Sequence, residues 1–133
     1  MSGPAFGSGR AAATLLRSVL LAGGMCAVAD PARAHAHLQG STPAANASLT
    51  EAPRALELAF TEPLEPRFSG VTVQDQQGRV IPLPAAQPNA GSPKELRWAL
   101  PALPAGVYAV SWRATSIDTH RSEGRFVFTI RQP

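Results

Sequence analysis

Val107-Tyr-Ala-Val-Ser-Trp-Arg-Ala114 decides the fold. Tyr108, Val110 and Trp112 recur at a period of two, with Ala109, Ser111 and Arg113 between them. Successive side chains of a strand point to opposite faces, so this alternation reads as a β-strand with one buried face. The same period appears on both sides of it. Downstream, Glu123 to Arg131 sets Phe126, Phe128 and Ile130 against Arg125, Val127 and Thr129. Upstream, Leu56, Leu58 and Phe60 alternate with Ala55, Glu57 and Ala59, and Leu96 and Trp98 are in phase within Lys94 to Leu100. Phe68 to Asp75 carries Val71 and Val73 in phase, Gln76-Gln77-Gly78 is a turn, and Arg79-Val-Ile-Pro-Leu83 is a short returning strand. Residues 84–93 hold three prolines with Asn89 and Gly91 and no apolar period, which predicts a loop. Pro101-Ala-Leu-Pro-Ala-Gly106 is a tight connection. No segment sustains a helical period. The expected fold is all-β: an antiparallel Greek-key sandwich or barrel of about seven strands. Phe60, Trp98, Trp112, Phe126 and Phe128 are its expected core aromatics.

The first 34 residues read differently. Arg10 and Arg17 precede the apolar run Ser18-Val-Leu-Leu-Ala-Gly-Gly-Met-Cys-Ala-Val-Ala29, and Ala32-Arg33-Ala34 gives a small–x–small cleavage pattern. This is the layout of a secretory signal peptide. The run is shorter than the roughly 20 residues needed to span a bilayer. Ala34-His35-Ala36 fits the same pattern and is the competing cut. Cleavage after Ala34 leaves one domain, 35–133, with nine basic and eight acidic residues and a formal charge of +1. Such a balance gives no electrostatic case for nucleic acid or an anionic membrane. Cys26, Met1 and Met25 all lie upstream of the cut. The processed domain then forms no disulfide and offers no thiolate or thioether.

All three histidines of the chain sit in two places: His35 and His37 after the cleavage pattern, and His120 in Asp118-Thr119-His120. A histidine at a free N-terminus supplies an α-amine and an imidazole that together chelate one ion. Both groups deprotonate near neutral pH, and a divalent ion favours that. Asp118 and His120 stand two residues apart, a spacing that in extended chain puts a carboxylate and an imidazole on one face. They lie on a polar connection between two core strands, a common place for sites. Nitrogen and oxygen donors without sulfur suit Cu(II) over Cu(I). Taken alone, Asp-x-His also fits a solvated turn with an internal hydrogen bond.

His35-Ala-His-Leu-Gln-Gly-Ser-Thr-Pro43 opens a further pattern. It continues through Phe60-Thr-Glu-Pro-Leu64, Phe68-Ser-Gly70, Ala105-Gly-Val-Tyr108, Val110-Ser-Trp-Arg-Ala114, Ser116-Ile-Asp-Thr-His120 and Gly124-Arg-Phe-Val-Phe128. In this order the blocks resemble the CopC family of periplasmic copper-binding proteins, over nearly all of 35–133. The resemblance implies a cupredoxin-like or immunoglobulin-like Greek-key sandwich in the periplasm that binds one Cu(II) through His35, Asp118 and His120. Glu62 matches an acidic residue that the family places near the N-terminal histidine, where it would orient the amine or imidazole; it equally fits an exposed carboxylate at a strand end. His37 is an exposed neighbour, an added axial ligand, or the terminal residue if the cut falls later. Some family members carry a methionine-rich Cu(I) site, and this chain lacks the residues for one. The implied role is a copper carrier or buffer in copper resistance or homeostasis, not an enzyme, with a CopD-like inner-membrane copper transporter as partner. Two other readings stay open: a copper-brace oxidative enzyme, which also uses a terminal histidine, and a metal-free β-sandwich interaction module.

Overall fold

The computed structural model of the chain describes residues 36–89 and 91–133, with Gly3 and Gly7; the rest of the expected signal peptide, the pattern Ala32-Arg33-Ala34 and His35 lie outside the described residues. The chain divides into two compact units, Met1–Asp30 and Pro31–Pro133. The β elements, all in the second unit, are β1 (Leu38–Thr42), β2 (Ser48–Leu49), β3 (Ala55–Phe60), β4 (Gly70–Gln74), β5 (Val80–Ile81), β6 (Gln87–Asn89), β7 (Ser92–Ala99), β8 (Gly106–Thr115) and β9 (Arg121–Ile130). They form two sheets, β1-β3-β7-β6 and β2-β9-β8-β4-β5. The chain passes repeatedly between the sheets, as at β1–β2, β3–β4 and β7–β8, which is the connectivity of a sandwich rather than a meander.

The alternating strands fold as their patterns require. Leu56, Leu58 and Phe60 of one sheet, and Tyr108, Val110, Phe126 and Phe128 of the other, are all buried. Leu96, Trp98, Val73 and Ile130 complete the layer between the sheets. Phe60 meets Trp112 of the opposite sheet edge-on at 5.3 Å, and Tyr108 stacks on its cross-strand partner Phe128 at 5.4 Å. The Tyr108 hydroxyl donates to the Pro104 carbonyl at 2.6 Å, so its one polar atom is satisfied at the edge of the core. The expected core aromatics are thus in place, with Trp112 half-buried at the margin.

The all-β expectation holds, and of its two architectures the second unit takes the sandwich: each sheet ends in separate edge strands, so no barrel closes. Several details differ. Among the described residues there are nine strands, more than the expected seven. β2 pairs parallel with β9, where the expectation was antiparallel throughout. The stretch 84–93 is not all loop: Gln87–Asn89 forms β6 and turns through Gly91, at φ 89°, into β7. Pro88 is tolerated there because β6 is an edge strand, where a missing N–H leaves no ladder bond unmade. Phe68 belongs to no strand. Pro66–Phe68 is a 3-10 turn started by its proline, and Phe68 is 61% exposed.

Candidate metal centre

β8 and β9 form the longest pairing of the fold, in register from Gly106↔Ile130 to Thr115↔Arg121. The five residues Ser116 to His120 close it, so the longest hairpin among the described residues carries the Asp-x-His pair. The Ser116 amide donates to the His120 carbonyl at 2.9 Å, and the Thr119 amide donates to the Ser116 carbonyl at 2.8 Å. Thr119 sits at φ 74°, a left-handed conformation costly for a β-branched residue. The loop is also tied sideways. Ser116 bridges Leu64, and the Ile117 amide donates to the Pro63 carbonyl at 3.1 Å.

Within this frame Asp118 and His120 meet. Asp118 Oδ2 and His120 Nδ1 are 3.2 Å apart, and both side chains are about half exposed. The expected extended spacing is not what joins them: a turn does, through the left-handed Thr119. Asp118 Oδ1 accepts a hydrogen bond from the buried Ser116 hydroxyl. The Ser116 hydroxyl first, and then the His120 imidazole, hold the Asp118 carboxyl below its ordinary range, against the opposing pull of desolvation. The loop therefore presents an ionised carboxylate and an imidazole nitrogen side by side. The 3.2 Å contact is a hydrogen bond or ion pair between imidazole and carboxylate, and it brings a nitrogen and an oxygen donor within reach of one ion.

The chain enters the fold beside this loop. Ala36 is fully buried in the core cluster, and its carbonyl accepts a hydrogen bond from the Ser122 hydroxyl, two residues after His120. His37 and Thr61 make a reciprocal pair: the His37 amide donates to Thr61 Oγ1 and the Thr61 amide to the His37 carbonyl, each at 3.0 Å. Glu62, exposed, follows Thr61 directly. Residues 36 and 37 are thus fastened to the start of β9 and the end of β3. His35 itself lies outside the described residues. Among the described residues, no three His, Cys, Asp or Glu side chains cluster as a metal-holding group; Asp118 and His120 meet as a pair.

Ser116, Ser122 and Thr61 are the site residues that sequence reasoning missed. A hydroxyl two residues before an aspartate in a turn is a local signal that could have marked Ser116. Nothing local marks Ser122, whose partner is 86 residues away.

Residues 38–131 match the CopC domain. The chain belongs to the CopC domain family. Copper resistance protein C of Escherichia coli is 36% identical to it over 126 residues, covering 89% of this chain and 99% of that relative. The crystal structure of CopC from Methylosinus trichosporium OB3b superposes with a TM-score of 0.69 at 31% identity, over 74% of this chain and 95% of that one. PcoC from Escherichia coli, described as a methionine-rich copper resistance protein, superposes at 0.65 with 34% identity, over 74% of this chain and 100% of PcoC. This CopC chain departs from that description, since its two methionines are Met1 and Met25, both upstream of the matched residues.

Proposed function

We propose that this CopC chain is a periplasmic Cu(II)-binding protein, a carrier or buffer in copper resistance or homeostasis. The observation that carries this reading is the 3.2 Å pairing of the Asp118 carboxylate with the His120 imidazole on the β8–β9 loop, beside the point where the chain enters the fold at Ala36. The likeness to proteins named for copper resistance supports the choice of metal. One Cu(II) is held per chain by His35, Asp118 and His120. Removal of residues 1–34 gives His35 a free α-amine, which joins its own imidazole on the ion. Ser116 keeps Asp118 ionised and aimed, and Glu62 orients the terminal residue from the end of β3.

The donor set explains the preference and the release. Nitrogen and carboxylate oxygen suit Cu(II), and residues 35–133 contain no methionine or cysteine to capture Cu(I). Reduction therefore loosens the metal, which can pass to a CopD-like inner-membrane transporter. A carrier needs only reversible exchange. With three ligands on the ion and no acid–base pair beside it, the copper-brace enzyme is the weaker reading.

The test is a pair of titrations of the processed protein, with Cu(II) and with Cu(I) under anaerobic conditions. One tight Cu(II) is expected, weakened by acid as protons compete for the amine and imidazoles. Tighter binding of Cu(I), or sustained polysaccharide oxidation by the copper-loaded protein with a reductant, would overturn the carrier reading.

A further inference from the structure

Below the hairpin loop, on the outer face of the β8–β9 ladder, lies an open groove of about 520 Å³. Arg67, Phe68, Arg113, Thr115, Arg121 and Glu123 line it. Its chemistry is unbalanced: three guanidiniums face one carboxylate. None of the three arginines makes an ion pair among the described residues, although two other arginines of the domain do, Arg79 with Asp75 and Arg97 with Glu57. Arg113 is opposite Glu123 and diagonal to Arg121 on the ladder, so two like charges are held on one face of adjacent strands. The arrangement carries a local positive field in a domain whose overall charge is near zero.

The groove is also built to hold its shape. Gly70 leaves room for the Arg113 guanidinium to lie across β4; a Cβ there would come within 3.2 Å of Nη2. The turn that presents Phe68 is pinned to β8. The Glu65 amide donates to the Thr115 carbonyl at 2.9 Å, the Thr115 hydroxyl donates to the Phe68 carbonyl at 3.0 Å, and the Thr115 amide donates to the buried Ser69 hydroxyl at 3.0 Å. These bonds hold an aromatic ring 61% exposed at the rim of an arginine-lined groove. The groove lies at the base of the loop that carries Asp118 and His120: Arg121, which lines it, follows His120 in the chain, and Ser122, which also lines it, holds the Ala36 carbonyl.

We propose that this groove docks an acidic segment of a partner protein, with carboxylates on Arg67, Arg113 and Arg121 and an apolar side chain against Phe68. Arginine forks bind carboxylates in pairs of parallel hydrogen bonds, and a concave site with an aromatic rim selects a side-chain-bearing segment over a bare anion. A flat anionic membrane is a poorer occupant. Electrostatic lipid binding relies on clusters of about four to eight basic residues, and the groove holds three with an opposing Glu123. The docking itself is independent of the metal; that it brings a copper-exchanging partner to Asp118 and His120 rests on the proposed function.

The test uses the processed chain and a short acetylated, amidated peptide alternating glutamate and leucine. Its glutamine counterpart, sodium sulfate and phosphatidylglycerol vesicles serve as competitors for the assignment. Amide and arginine Nε NMR signals are followed, with Cu(II) affinity measured in parallel. The expected result is saturable shifts confined to Arg67, Phe68, Arg113 and Arg121, weakened by salt, and affinity lowered on the order of tenfold or more by Arg67→Glu combined with Arg113→Gln. That double variant should keep its Cu(II) affinity within about a factor of two, since a screened rim charge adds little at a distance. Equal binding by the glutamine peptide, equal shifts from sulfate alone, preference for vesicles, or unchanged affinity in the double variant would each overturn the proposal. Loss of Cu(II) binding in the wild-type chain alone would overturn the metal reading and leave the docking result standing.

Discussion

Ser116 does more for the candidate centre than its size suggests. Buried under the loop, its hydroxyl fixes one oxygen of Asp118 while His120 meets the other. The Asp118 carboxyl is therefore held below the ordinary value of about 3.9. A depressed carboxylate contributes loop stability that is present above the ordinary value and lost as pH falls through the folded one. Carboxyl NMR titration of the metal-free protein should show Asp118 titrating below the ordinary carboxylate value, and Ser116→Ala should move it back up; a variant in which Asp118 titrates as low as in the parent chain would remove Ser116 from this role. For the metal, His120→Ala should weaken Cu(II) binding most and Asp118→Ala next, with far-ultraviolet circular dichroism unchanged. Glu62→Gln should cost about 10- to 100-fold, the usual range for a group that orients a ligand. Wild-type affinity in His120→Ala would exclude that residue. The pair Asp118 and His120 was legible because their spacing is local. Ser122 was not, because its bond to Ala36 exists only once distant segments are brought together.

The β8–β9 hairpin is the element that carries both the loop and the groove, and it contains one close approach. Trp112 is the cross-strand partner of Gly124, and a Cβ at Gly124 would lie 2.5 Å from the indole ring. The indole also packs edge-on against Phe60 of the other sheet, so it has little room to retreat. Gly124→Ala should destabilise by about 1–3 kcal/mol through overpacking, a loss readable as a lower midpoint in urea. A neutral result would mean that Trp112 swings out freely. Strands of this central kind announce themselves in sequence, since each has one buried and one outer face. The edge strands do not. β2 and β5 have two residues each, β6 contains Pro88, and β1 shifts register between Leu38 and Gly40. With one neighbour and little burial, an edge strand is under weak demand for alternation, which is why 84–93 reads as loop.

At the scale of the molecule, the sandwich stands on its apolar layer, since the domain from residue 35 onward has no cysteine with which to form a disulfide. Phe128→Ala, at a fully buried position stacked on Tyr108, should cost about 3–5 kcal/mol. It should lower the thermal midpoint and copper binding together, whereas the ligand variants lower copper binding alone. The chain enters this layer through buried Ala36, beside the Asp118–His120 loop, and the proposed chelate is completed one residue earlier. The most direct measurement is therefore Cu(II) titration of two purified chains, one beginning at His35 and one carrying a single extra residue before it. The extension leaves every side chain in place, turns the His35 nitrogen into an amide and moves the free α-amine one residue away from the imidazole. Strong binding of one Cu(II) to the first chain, and a loss of at least an order of magnitude in the second, is the predicted result; equal affinity in the two would contradict a copper centre built on the terminal histidine.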